Sequence, residues 1–175
     1  MRSIAKPHSR RRALGQLMAW LAAPAAGVAT AQSAPSPALS PGQSIAWPSV
    51  PLLNGPMLAA AHFEGRVTVL YWWASWCPFC REQTPEMQKL WARHGPQGLR
   101  MLGISIDAKA ETAQQHWSRN GFTFPTTLSS EELARAFPRP RGVPATAVID
   151  RQGRVAQVER GQMFPEDIAA LARWL

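Results

Sequence analysis

Val67-Thr68-Val69-Leu70-Tyr71-Trp72-Trp73-Ala74-Ser75-Trp76-Cys77-Pro78-Phe79-Cys80-Arg81 is the stretch on which the reading of this chain turns. Its first seven residues are β-branched, leucine or aromatic, the composition of a strand buried on both faces. Pro78 then opens a helical pattern that runs to about Arg93, since proline is favoured at the first helical position. Pro85 falls inside that helix; its missing N–H and its clash with the Arg81 carbonyl are expected to bend it. The only two cysteines, Cys77 and Cys80, stand at the strand-to-helix joint.

Elements of the same kind follow. Leu99 to Ile106 is a second apolar run and reads as another central strand. Ala110 to Asn120 reads as a helix stopped by Asn120-Gly121. Ser129 with Glu132 forms a capping-box pattern ahead of a short helix carrying Leu133 and Phe137. Ala145–Ile149 and Arg154–Glu159 flank Asp150-Arg151-Gln152-Gly153 as an antiparallel hairpin. Pro165, with Glu166 and Asp167 behind it, starts a closing helix with Ile168, Leu171 and Leu175 on one face. Upstream, Asn54-Gly55 between Leu52-Leu53 and Met57-Leu58 signals a hairpin, confined to a sheet edge by Pro51 and Pro56. The order β-α-β-α-β-β-α fits an α/β fold: a central mixed sheet flanked by helices on both faces, with an N-terminal β-hairpin extension.

The chain has 175 residues, of which 46% are hydrophobic, enough for one domain with a real core plus an appendage. Its formal net charge of +8 is concentrated at the start: Arg2, Lys6, Arg10, Arg11 and Arg12 precede any globular pattern. From Gln32 onward 14 basic residues face 11 acidic ones, with no basic stripe interleaved with aromatics, so no nucleic-acid partner is expected. Basic residues, an apolar run over 13–28 and the small-residue site Ala29-Thr30-Ala31 read as a cleavable signal peptide over 1–31. The alternative is an uncleaved anchor. Arg10-Arg11-Arg12 and Leu14 also partly match a twin-arginine signal, so both export routes fit. Either places the protein beyond the cytoplasmic membrane, in a periplasmic setting that permits disulfide chemistry. Residues 32–50, rich in Pro, Ser, Ala and Gly, read as a flexible linker, with Trp47 able to dock, and 51–175 as the domain.

The spacing of the cysteines gives each a task. Cys77 at the N-cap meets unpaired backbone N–H groups and the positive end of the helix dipole, which favour a thiolate and hence a nucleophile. Cys80, one turn on and directed back toward Cys77, lies on the face that packs on the sheet. It is expected to be the more buried sulfur, with the higher pKa, suited to resolving a mixed disulfide on Cys77. Four rivals stand beside thiol–disulfide exchange. A structural zinc site needs four ligands, and His62, His94 and His116 have no ligand-like spacing. Copper(I) can be held by two thiolates. A structural bridge over so short a loop would stabilise weakly. A thiol peroxidase would use Cys77 on peroxide directly, but the approach to it is aromatic. Glu82, two residues past Cys80, is a candidate for proton transfer and otherwise a solvated helix residue.

Trp-Ala-Ser-Trp-Cys-Pro-Phe-Cys-Arg, followed by Pro85, resembles the thioredoxin superfamily, and within it the exported TlpA/ResA-like oxidoreductases. Gly142-Val143-Pro144-Ala145-Thr146-Ala147-Val148-Ile149-Asp150 resembles that family's second motif, and the likeness runs from about Val50 to Leu175. The resemblance implies a thioredoxin-like fold, a cis Val143–Pro144 bond and a Pro144 set against the cysteines. It also implies a substrate strand pairing with the backbone of Val143, with Trp76, Pro78 and Phe79 around it. Where thioredoxins carry a buried acid on the strand before the cysteines this chain has Tyr71. Where many TlpA-like proteins have Glu after the second cysteine it has Gln83, with Glu82 beside it. The expected partners are protein thiols and disulfides and a membrane thiol donor for re-reduction. The expected protein is a monomer with no cofactor and no bound metal. Uncharged Pro78-Phe79 between the cysteines favours the reducing direction, since direction follows potential.

Overall fold

In the computed structural model residues 38–139 and 141–175 are described. The expected signal peptide and the start of the expected linker lie outside the described residues. Five strands form one sheet: β1 (Thr68–Trp73), β2 (Arg100–Ser105), β3 (Thr126–Leu128), β4 (Ala145–Ile149) and β5 (Val155–Arg160). Their order is β3-β2-β1-β4-β5. β1 pairs with β2 and β2 with β3 in parallel, whereas β1–β4 and β4–β5 are antiparallel. The sheet is mixed, as expected. β3 is the strand that the periodicity did not reveal; at three residues it is too short to show an alternation.

All six residues of β1 are buried because the strand is central and both its faces are covered. Side chains alternate across the sheet. Val69, Tyr71 and Trp73 face α1 (Pro78–His94), α2 (Ala110–Arg119) and α4 (Pro165–Ala170), through Cys80, Met87, Leu90, Trp117 and Ile168. Leu70 and Trp72 face the other way, toward Leu133 of α3 (Glu131–Ala136) and Phe137. α1 runs through Pro85 to His94. Ser130, and not Ser129, caps α3, its hydroxyl accepting from the Leu133 N–H at 3.2 Å. The closing helix gives way after Ala170 to a 3-10 turn, Leu171–Trp174, with Ile168 and Leu171 both buried.

The Asp150–Gly153 turn forms as the spacing predicts. Asp150 Oδ1 accepts from the N–H groups of Gln152 and Arg154, both at 2.9 Å, and Gly153 takes φ +73°, a backbone region that costs other residues more.

The flexible linker expected over 32–50 is, over its described part, a docked segment. Leu39, Ile45 and Val50 are buried, and Trp47 stacks on Phe63 with ring centroids 4.6 Å apart. The Gly42 N–H donates to the Val155 carbonyl and the Ile45 N–H to that of Gly153, each at 2.8 Å. These bonds lie at the start of β5, an edge strand whose open backbone groups would otherwise lack partners. Composition pointed to a linker because Pro and Ser dominate it; three spaced apolar side chains were enough to anchor it.

The expected hairpin around Asn54-Gly55 contracts to a single bridge, Val50 with Leu58, made by two bonds of 2.8 and 2.9 Å. Asn54 is drawn instead to β3, its amide donating to the Phe124 carbonyl at 3.3 Å and accepting from the Thr126 N–H at 3.2 Å. The Leu53 N–H adds a bond of 2.8 Å to the Thr126 carbonyl. The segment before β1 thus covers both edges of the sheet.

Candidate active site

The end of β1 delivers the chain to the start of α1 through Ala74-Ser75-Trp76. A carboxylate holds this loop in place. Asp107, directly beyond β2, accepts from the Ser75 N–H at 3.1 Å, the Ser75 hydroxyl at 2.7 Å and the Ser105 hydroxyl at 2.7 Å. The Cys77 N–H closes a turn onto the Ala74 carbonyl at 3.2 Å. Cys77 is therefore the N-cap of α1 in extended geometry, with Pro78 at the first helical position.

There the Cys77 sulfur accepts the Cys80 N–H at 3.2 Å, the contact a capping side chain makes. Its thiol also points to the Val143 carbonyl, 3.5 Å away. Val143–Pro144 is cis, as the resemblance implied, and the Pro144 carbonyl accepts from the Gly161 N–H at 2.9 Å. Cys77, Cys80, Val143 and Pro144 are thus brought together from α1 and the turn into β4. Both cysteines are free thiols.

Whole-residue exposure is 3% for Cys77 and 1% for Cys80, so the two differ in surroundings more than in exposure. Burial pushes the Cys80 thiol far above its ordinary pKa, and the Cys77 side chain adds to the rise. The Ala74 backbone and the Tyr71 hydroxyl oppose it. Trp76 and Phe79 flank the pair at 63% and 55% exposure.

Tyr71 and Gln83, where acids were expected, are buried and paired. The Tyr71 hydroxyl lies 3.0 Å from Thr84 Oγ1 and 3.5 Å from the Cys80 carbonyl oxygen. Burial, then the nearby Cys80 charge, raise its pKa well above the usual phenol value. Gln83 donates to Thr146 Oγ1 at 3.3 Å and accepts from the Met163 N–H at 2.8 Å, tying α1 to β4 and to the segment before α4. Glu82 makes no hydrogen bond to either sulfur. It is exposed, and its carboxylate accepts from Gln162 at 2.7 Å.

That contact places Gln162 beside α1. Phe164 is 66% exposed and two residues past Gln162, while Glu82 is one helical turn past Phe79. Sequence reasoning passed over Phe164, and over Asp107 as the anchor of the loop. The apolar exposed residue directly before Pro165 was the one available signal for Phe164.

Among known proteins, residues 41–173 match the model of the Redoxin family. The thiol-disulfide oxidoreductase ResA of Geobacillus kaustophilus is 27% identical over 116 residues, which cover 66% of this chain and 67% of that protein. The sporulation thiol-disulfide oxidoreductase A of Bacillus subtilis is 23% identical over 109 residues, covering 60% of this chain and 66% of that one. A crystal structure of a thiol:disulfide interchange protein, a thioredoxin family protein of Chlorobium tepidum, superposes with a TM-score of 0.66 at 25% identity. It covers 78% of this chain and 94% of its own. A five-stranded mixed sheet, a Cys-x-x-Cys pair at a helix start and this match over most of the chain agree. The chain belongs to the Redoxin family, as a thiol–disulfide oxidoreductase with a thioredoxin-like fold.

Proposed function

We propose that the chain is an exported, periplasmic thiol–disulfide oxidoreductase that reduces protein disulfides through Cys77-Pro78-Phe79-Cys80. The observation that carries this reading is the Cys77 sulfur at the N-cap of α1, holding the Cys80 N–H at 3.2 Å with the Cys80 thiol buried one turn behind it. Cys77 attacks a substrate disulfide and displaces one substrate thiolate, forming a mixed disulfide. Cys80 attacks Cys77 in that mixed disulfide and displaces the second. The substrate gains two electrons and the pair leaves as a disulfide. A membrane thiol donor then returns two electrons to the pair. Thiols supply every electron, so the cycle calls for no organic cofactor or metal.

Trp76, Phe79 and Phe164 offer an apolar rim to the polypeptide around the substrate disulfide, and the backbone at Val143 offers hydrogen bonds to it. Pro78 fixes the helix start. Glu82, tied to Gln162 at the rim, takes part in proton transfer only through solvent, since it makes no contact with Cys80.

Dithiothreitol-driven reduction of insulin tests the reading. The wild type accelerates it and Cys77→Ser abolishes the acceleration. A reduction potential of the pair near that of thioredoxin, about −270 mV, supports the reducing direction, and one near about −120 mV reverses it. Rapid consumption of hydrogen peroxide by the reduced protein, with no insulin reduction, would point to a peroxidase instead.

A further inference from the structure

Pro85 leaves the first turn of α1 short of one bond. It has no N–H to give to the Arg81 carbonyl, so the ladder tying the turn that carries both cysteines to the body of the helix lacks a rung. Two side-chain hydroxyls fasten that turn from outside the ladder. Thr84 Oγ1 donates to the Cys80 carbonyl oxygen at 2.6 Å. Its single proton is used there, so the Tyr71 hydroxyl, 3.0 Å away, donates to Thr84 Oγ1. The Tyr71 oxygen also lies 3.5 Å from the same carbonyl oxygen. A threonine inside a helix can bond the carbonyl one turn back without further consequence. Here the bond continues into the sheet, and a relay of hydroxyls runs from β1 to the main chain of Cys80.

Tyr71, Thr84 and Cys80 are all buried, so these hydrogen bonds form away from solvent and are costly to leave unmade. On its other side the Cys80 N–H is held by the Cys77 sulfur at 3.2 Å. Both polar groups of the Cys80 main chain are thus engaged, one toward Cys77 and one toward the sheet. Its side chain turns on a fixed base.

We propose that Tyr71 and Thr84 are positioning residues for the resolving step, their relay holding the Cys80 backbone so that its sulfur is presented to Cys77. Neither touches a reacting atom. The inference rests on the reading of Cys77 as attacker and Cys80 as resolver. In that step the Cys80 thiol gives its proton to solvent and the thiolate attacks the Cys77 sulfur. The Cys77–Cys80 bond forms, the bond from the Cys77 sulfur to the substrate sulfur breaks, and the departing sulfur takes the electron pair. A sulfur–sulfur bond of about 2.0 Å forms only from a narrow range of approach, and a misplacement of about 1 Å can slow a reaction about a hundredfold.

A symmetric aromatic disulfide with a coloured thiolate separates the two steps, since attack by Cys77 releases one equivalent and resolution by Cys80 the second. Thr84→Val removes the donor on the Cys80 carbonyl, and the second release slows about tenfold relative to the first. Tyr71→Phe cuts the relay from the sheet but leaves Thr84 on the carbonyl, and the ratio falls about threefold. Thr84→Ser keeps the hydroxyl and the wild-type ratio. A purely structural loss would lower the melting temperature and leave the ratio of the two releases where it was. The proposal is overturned if Thr84→Val or Tyr71→Phe leaves that ratio unchanged, or if Thr84→Ser behaves as Thr84→Val. Should Tyr71→Phe fail to fold, the contrast between Thr84→Val and Thr84→Ser decides. Absence of a first release from the wild type would instead overturn the role given to Cys77.

Discussion

Asp107→Ala removes the acceptor that holds the loop in front of Cys77, and the structure sets the size of the effect. Three donors lose their partner: the Ser75 N–H at 3.1 Å, the Ser75 hydroxyl at 2.7 Å and the Ser105 hydroxyl at 2.7 Å. A hydrogen bond to a charged group is worth about 1.5–3 kcal/mol, and an N–H fixed in the backbone cannot turn to another acceptor. The two hydroxyls can, so they recover part of their loss; Ser105 Oγ also accepts the Asp107 N–H at 3.1 Å and keeps that bond. The expected destabilisation is about 3 kcal/mol, or a fall in melting temperature of about 9 °C for a domain of this size. Ser75 is two residues from Cys77, so a loosened loop also misplaces the attacking sulfur. Reaction of Cys77 with the aromatic disulfide is expected to slow about tenfold. Asp107→Asn, which keeps the shape and one acceptor oxygen, recovers about half of that loss and most of the rate. Thermal unfolding followed by circular dichroism, with the first thiolate release by stopped flow, measures both. An Asp107→Ala protein that melts within about 2 °C of the wild type and reacts at its rate would refute the loop-anchor argument.

Three further outcomes follow from the same geometry. Gln83→Glu puts a carboxylate one helical turn past Cys80, and the second thiolate release should accelerate by about tenfold or more; an unchanged rate would mean that position 83 does not act on Cys80. Double substitution of Phe79 and Phe164 by Ser should raise the KM for insulin several-fold while leaving the reaction with the small aromatic disulfide intact, and equal losses on both would remove the apolar rim from substrate binding. Burial raises the Cys80 pKa in the folded dithiol, so the folded state holds its proton where the unfolded chain, with an ordinary thiol near about 8.5, has lost it. The unfolded state then binds fewer protons, and stability of the reduced protein falls as pH rises above about 8.5. Urea midpoints between neutral and alkaline pH should show this decline for the wild type and a shallower one for Cys80→Ala; identical slopes would contradict the burial assigned to Cys80.

The parts of this protein legible in its sequence are those whose signal is local. An unbroken β-branched and aromatic run marks β1 because both its faces are covered, and Pro78 marks the start of α1 through its own backbone chemistry. The two cysteines needed no distant residue to be placed at that joint. Less was legible where the partner lies far along the chain. Nothing local in Asn54-Gly55 signals that the Asn54 side chain bonds Phe124 and Thr126, 70 residues or more away, in preference to closing a hairpin. The Pro- and Ser-rich stretch before residue 50 looked unstructured because the edge of β5 that it covers exists only in the folded sheet. Glu82 was a reasonable candidate by spacing alone, until the fold brought Gln162 to its carboxylate. Asp107 and Phe164 escaped notice for the same reason: each acquires its setting from a contact that only the tertiary structure makes.

The division of labour between the two sulfurs is most directly tested by mass spectrometry of single-cysteine variants exposed to a protein disulfide. With Cys80→Ser, a mixed disulfide on Cys77 should accumulate to about one equivalent and persist, because nothing remains to resolve it. With Cys77→Ser, the buried, protonated Cys80 should form little or none over the same interval. Equal trapping by the two variants, or preferential trapping on Cys80, would contradict the account.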